Sequence, residues 1–229
     1  MKIFRIVGRF AFFSLALLAF APPAKASGVM PKGIILDFNL QRTGGGLIPN
    51  RTIYPLYVPL GDLKLIPEYQ IRVLNLDRGQ SLKIPHTALL DPDGGEWDVS
   101  IRIFAKTNGI VLTQANEDVG YILYLEDGII HASVNVGSTL VSIVEDPRSG
   151  QTYCLNRWVS IDLRIKPDMV LMNVNRKRAA IAFLPTPLKG KNMHVRIGSL
   201  DKLPEPLKYL PISPLGFSGA IRSFRIVRQ

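Results

Sequence analysis

The sequence predicts an all-β fold, a two-sheet antiparallel sandwich, on three observations. Apolar side chains recur at every second position in one run after another, as in Trp97, Val99, Ile101 and Ile103, which is the period of a strand buried on one face. Turn signals separate the runs, among them Asp91-Pro92-Asp93-Gly94-Gly95, Asp127-Gly128 and Lys166-Pro167-Asp168. No long stretch shows the ~3.6-residue apolar period of a helix. About a dozen short strands at regular spacing, without helices between them, make a sandwich rather than an α/β fold.

"GIILDFN" supplies the first strand, over residues 34–38. In "NRTIYPLYVPL" the apolar residues Ile53, Tyr54, Leu56, Tyr57 and Val58 are interrupted by Pro55 and Pro59. Proline cannot donate to a ladder, so this is an edge or irregular strand. "SLKIP" (81–85) is short and stopped by Pro85; the run from Trp97 is the strongest. "GIVLTQ" (109–114) and "YILYLEDG" follow, the latter closing on the hairpin dipeptide Asp127-Gly128. "IIHASVNVG" and "STLVSIVE" form a hairpin at Gly137-Ser138, and "RWVSIDLRI" (157–165) turns into "MVLMNVN". "AAIAFL", "HVRIGSL" and "GAIRSFRIVR" complete the set. The last two flank residues 199–216, where Pro204, Pro206, Pro211 and Pro214 forbid a regular ladder or long helix, leaving a proline-rich surface insert. The glycine-rich "TGGGL" (43–47) has no Lys-Ser/Thr after it and reads as a loop, not a phosphate cradle.

Residues 1–26 read as a secretory signal peptide. Lys2, Arg5 and Arg9 precede the apolar run 10–21, and Ala24-Lys25-Ala26 forms a cleavage box before Ser27. That run is too short to span a bilayer, and no later run is long enough, so no transmembrane segment is expected after cleavage. What remains, 229 − 26 = 203 residues, is one domain over 27–229, large enough to bury a core without staples. Losing Lys2, Arg5, Arg9 and Lys25 lowers the formal net charge from +10 to +6. That balance suits an acidic polymer and is equally ordinary for an exported protein. The single cysteine, Cys154, has no internal disulfide partner and is expected to be a buried packing residue. His86, His131 and His194 lack metal-ligand spacing. Asn50-Arg51-Thr52 fits a glycosylation acceptor only in a eukaryotic export pathway.

"ILDFN", "QSLKIPHT", "EWDVSIRIFAK", "NRWVSIDLRIKPDMVLMNVNRK", "VRIGS" and "GFSGAIRSFRIVR" come in one order. In that order and patterning the chain resembles the laminin-G-like, concanavalin-A-like jelly-roll family over most of residues 34–228. The resemblance implies a jelly-roll sandwich whose loops or concave sheet recognise a glycan or a protein surface. Two departures stand out. The histidine usually two residues after the tryptophan is Ser160, and the usual Val-Asp-Gly turn is Val174-Asn175-Arg176. Many members bind calcium at the sandwich rim through acidic and carbonyl ligands. Asn173 and Asn175 could offer side-chain oxygens, but the acid is missing and no metal or other cofactor is assigned.

The row Glu96-Trp97-Asp98-Val99-Ser100 tests for catalysis. Retaining glucanases of the same jelly-roll class carry Glu-x-Asp-x-Glu on one strand, since only alternate residues face the cleft. Their outer carboxylates must stand ~5–5.5 Å apart. Here the third acid is Ser100, which cannot protonate a leaving oxygen, so Glu96, Asp98, Ser100 and Arg102 read as the polar side of an amphipathic strand. Other catalytic templates are missing too. Trp158 is a packing residue by resemblance, although Val159, Ile161 and Leu163 form the better core face. Arg176, Lys177 and Arg178 at one turn, with Lys189 and Lys191 at a later one, would form a basic cluster if the two turns meet. Asp98 and Arg102 complete the candidate binding residues.

The expectation is a secreted or periplasmic, non-catalytic recognition module for a polysaccharide or an extracellular glycan or protein surface, with no nucleic-acid partner. A glycoside hydrolase or lyase of the same class is one alternative, marked by Asp98 paired with Asp162 or Glu126. A structural envelope protein associating through an edge strand is another.

Overall fold

Every second side chain of Trp97–Ala105 is buried, and this strand runs through the middle of the larger of two sheets. The computed structural model describes residues 32–38, 40–42, 46–68, 71–145 and 153–229. The expected signal peptide, 1–26, and residues 43–45 of the glycine-rich loop lie outside the described residues. Sixteen strands are described: β1 (Gly33–Asp37), β2 (Leu47–Pro49), β3 (Tyr57–Pro59), β4 (Lys64–Glu68), β5 (Ile71–Leu76), β6 (Ser81–Ile84), β7 (Trp97–Ala105), β8 (Gly109–Ala115), β9 (Val119–Glu126), β10 (Ile129–Val136), β11 (Leu140–Val144), β12 (Trp158–Ile165), β13 (Met169–Val174), β14 (Lys177–Phe183), β15 (His194–Gly198) and β16 (Gly219–Arg228).

The eight-stranded sheet runs β14-β13-β12-β7-β16-β5-β4, with β1 also paired to β16. The six-stranded sheet runs β11-β10-β9-β8-β15-β6, and β2-β3 is a separate ribbon. All the strand-to-strand ladders are antiparallel. The two sheets face each other across one apolar core, as the period-two pattern requires. In β12 the buried residues are Val159, Ile161, Leu163 and Ile165, so the aliphatic face is the core face.

Strands β8 and β9 depart from alternation for a physical reason. All seven residues of β8 are buried, as are seven of eight in β9. Their inner face meets the core. Their outer face is covered by residues 199–216, through Leu200, Leu207, Leu210 and Ile212 against Ile110, Ile122 and Tyr124. Burying each such side chain contributes about 1.5–3 kcal/mol, so the proline-rich segment is clamped to the sheet rather than projecting from it. Its two ends meet: the Leu200 N–H donates to Leu215 O at 2.8 Å. Ser199 at this neck accepts the Gly79 N–H on Oγ at 2.9 Å. The segment is an Ω-type loop packed by its own leucines.

Strands β2, β4 and β5 lack a sequence signal. In β5 the alternation breaks at Val73-Leu74, both buried, and β4 carries Pro67 on an edge. Asn50 is a structural residue. Its Nδ2 donates to Ile35 O at 3.0 Å and Thr52 Oγ1 at 2.7 Å, and its Oδ1 accepts the Asp37 N–H at 2.9 Å. That amide nitrogen is committed to the fold. Cys154 is fully buried, as expected.

Candidate binding site

The outer face of β7 carries Asp98, Ser100, Arg102 and Phe104, all half-buried. Asp98 accepts from Arg164 Nε at 3.0 Å and from Gln229 Nε2 at 2.6 Å. Glu96 lies 3.3 Å from Arg164 and 3.7 Å from Lys166. Burial raises the Asp98 carboxyl above the ordinary carboxylate value, outweighing the opposing pull of Arg164. Asp162 is the cross-strand partner of Ser100. Glu126 belongs to the other sheet, 3.9 Å from His131. Glu96 and Asp98 are therefore ion-paired with cations of β12 and its following turn, and Glu126 is not brought to them.

Arg102 stacks over Trp158 at 5.9 Å, and Phe104 packs on the same indole at 5.7 Å. The indole N–H donates to Glu68 Oε1 at 2.8 Å. Trp158 thus lies on the outer face, held by β4, and is not a core residue.

The five turn cations separate into two groups. Arg176 sits at the β13–β14 turn in left-handed backbone, φ 68°, and Lys177 and Arg178 open β14. Lys189 bridges to Asp93, just before β7. The β14 start is near the Ser160 end of β12, where the Asn175 N–H donates to Ser160 O at 2.8 Å. The Asp93 side adjoins Trp97, which pairs with Ile165 at the other end of β12. Five residues of β14, 179–183, stand between the groups, roughly 17 Å of strand. Arg176, Lys177 and Arg178 therefore do not meet Lys189 and Lys191.

Lys189 and Lys191 instead border a cleft of about 1960 Å³ on the outer face of the six-stranded sheet. Its floor is the polar side of β15 and β8: His194, Arg196, Thr113 and Ala115. One wall is the loop from His86 to Asp93 with the 189–192 turn; the other is the insert, from Leu200 to Glu205 with Leu215. The walls are tied in place. Asp91, buried, accepts the N–H of Asn192 at 3.0 Å and of Met193 at 2.8 Å, and lies 3.2 Å from His86 Nε2. Asn116 Nδ2 donates to Lys191 O at 2.9 Å. His86 and His194 meet edge-on at 5.9 Å.

Of this cleft, sequence reasoning found only Lys189 and Lys191. A signal was present for the floor: His194 and Arg196 alternate with Val195 and Ile197, and Thr113, with Gln114, ends the apolar run 110–112. The Oδ1 of Asn175 already accepts the Ser160 N–H at 3.0 Å. Among the described residues no group of three or more His, Cys, Asp or Glu side chains could hold a metal ion.

Residues 103–229 match the family model of the laminin G domain. No curated protein matches in sequence. Among solved structures, the chain is similar to the binding domain of Paraclostridial Mosquitocidal Protein 1, at 10% identity and TM-score 0.65, covering 86% of this chain and 49% of that one. It is similar to the receptor binding domain of botulinum neurotoxin D, at 15% identity and TM-score 0.64, covering 86% and 49%. It is also similar to botulinum neurotoxin type C, at 12% identity and TM-score 0.59, covering 85% and 47%; cell entry of that toxin depends on two ganglioside molecules. The chain spans about half the length of these structures. At these identities the likeness is one of fold. No helix among the described residues is long and apolar enough to cross a membrane.

Proposed function

Because the chain belongs to the laminin G domain family, we propose that it is a non-catalytic recognition module for carbohydrate, working outside the cytoplasm as a secreted or periplasmic protein. The observation that carries this reading is the insert-walled cleft of about 1960 Å³. A concave site with polar side chains on its floor and apolar patches on its walls suits a ligand that is both polar and faceted. The rigid two-sheet core would hold the site's loops in fixed positions. Residues 1–26 would direct export, leaving 27–229 as one domain. Lys189 and Lys191 would touch the ligand at the rim. Arg176, Lys177, Arg178, Asp98 and Arg102 would form surfaces apart from it. The partner would be a polysaccharide or a glycan-bearing surface.

A glycan array with the purified protein tests this. Saturable signals that fall in the Lys189→Ala/Lys191→Ala double variant support the reading. A folded protein that gives no signal on any glycan, or that cleaves the glycans it binds, overturns it.

A further inference from the structure

We infer that the cleft takes an uncharged oligosaccharide, with the Thr113 hydroxyl on its floor, flanked by Arg196 and His194, as the hydrogen-bonding subsite. This rests on the recognition reading and goes further, because it names the class of sugar and the group that holds it.

The charges around the cleft are of both signs. Its cations are Lys189, Lys191, Arg196, Lys202 and Lys208. Its acids are Asp91, Asp93, Glu117, Asp118, Asp201 and Glu205. Five against six leaves no positive field to gather a polyanion, whose sulfates or carboxylates would face like charges. Several charges are also spent within the protein. Lys208 is paired with Glu205. Asp91 holds two backbone N–H groups, and Asp93 Oδ1 accepts the Gly95 N–H at 3.1 Å. Mixed donors and acceptors instead match sugar hydroxyls, which both donate and accept. Leu200, Leu203 and Leu215 on the insert wall give the C–H face of a sugar ring an apolar surface.

Thr113 points independently to a ligand. It lines the cleft and is 2% exposed, yet its Oγ1 has no hydrogen-bond partner among the described residues. Buried hydroxyls are nearly always hydrogen-bonded, and one left alone destabilises the fold. Its cross-strand neighbours are Arg196 on β15 and Ile122 on β9. The Ile122 side chain offers no polar atom, and Arg196, although a donor the hydroxyl could accept from, makes no hydrogen bond to it. A sugar hydroxyl laid against Arg196 would give Thr113 the partner that the fold does not.

The test is an array of uncharged and anionic glycans probed with the full chain. Titration of the best uncharged glycan follows, at low and high salt, with the wild-type, Thr113→Val and Thr113→Ser proteins. The expected result is binding to uncharged glycans that changes less than about twofold with salt. Thr113→Val should weaken it about tenfold with an unchanged or higher Tm, and Thr113→Ser should retain it. Signal confined to sulfated, sialylated or uronate glycans overturns the inference while leaving carbohydrate recognition standing. So does an uncharged ligand whose affinity ignores Thr113→Val. No signal on any glycan removes both together.

Discussion

The indole N–H of Trp97 donates to the phenolic oxygen of Tyr121 across the interior at 3.2 Å, and the same phenol donates to Gln114 Oε1 at 2.6 Å. Trp97 belongs to the larger sheet, Tyr121 and Gln114 to the smaller, so a fully buried polar relay joins the two layers. Gln114 carries it on to the Leu90 carbonyl. Tyr121→Phe keeps the ring but leaves the indole N–H and the Gln114 oxygen unpaired. The expected cost is about 1–3 kcal/mol. It should be read as a lower urea midpoint with an unchanged slope.

The same phenol makes stability pH-dependent. Burial pushes Tyr121 well above the ordinary tyrosine value of 10.0, outweighing the opposing effect of the Trp97 hydrogen bond. Tyr124 is raised too, again mainly by burial. With the folded value raised, the unfolded chain loses its protons first. The stabilisation is therefore complete below pH 10 and is lost as pH climbs from there toward the raised folded values. Urea unfolding at stepwise alkaline pH should show the midpoint falling above about pH 10. Tyr121→Phe should reduce that fall, and a midpoint that stays flat to pH 12 would contradict the assignment.

The parts of this architecture legible in the sequence are those in which one face is wet. Trp97–Ala105 and Trp158–Ile165 alternate because water lies against their outer sides, so their core residues could be read directly. The run "YILYL" could not be read that way. Tyr121, Leu123 and Leu125 face the core, while Ile122 and Tyr124 lie under the insert, and a strand covered on both faces has no period to detect. Strand β5 was hidden by Val73-Leu74, adjacent and both buried. The cleft was hidden by distance along the chain: His86, Thr113, His194 and Leu200 converge only once β15 has paired with β8 and the insert has folded back. The basic residues were visible, but whether two turns share an end of the sandwich depends on strand register, which composition does not carry.

The insert's attachment predicts a graded response. Gly109 has φ +131° and lies against the backbone of Gly216, where a Cβ would collide with the carbonyl. Gly137 has φ +100° but nothing within 4 Å of an added Cβ. Both alanine variants meet backbone strain, roughly 1 kcal/mol or somewhat more. Only Gly109→Ala also pushes the insert's neck away from the sheet. Thermal melts should show Gly109→Ala losing clearly more stability than Gly137→Ala. Equal losses would mean that the neck does not bear on β8.

Leu207 tests the cover itself, because it is fully buried against the outer face of the six-stranded sheet. Leu207→Ala should cost about 2–5 kcal/mol if the insert and the sandwich unfold as one unit. If the insert lifts alone, limited proteolysis within residues 199–216 should accelerate while the global Tm hardly moves. In both cases any glycan affinity should fall, since Leu200, Leu203 and Leu215 form a wall of the cleft.

Cys154 gives a chemical readout of the closed core. Burial, reinforced by the Glu145 carboxylate, pushes its thiol up to about 12. Thiolate is the reactive form, so at pH 8 almost none is present in the folded protein, and the sulfur is inaccessible as well. The native protein should react with a disulfide reagent far more slowly than the urea-unfolded chain, by at least a hundredfold. The native rate should follow the urea dependence of opening rather than reagent access. Prompt stoichiometric labelling in native buffer would show that the segment around Cys154 opens without the rest of the sandwich.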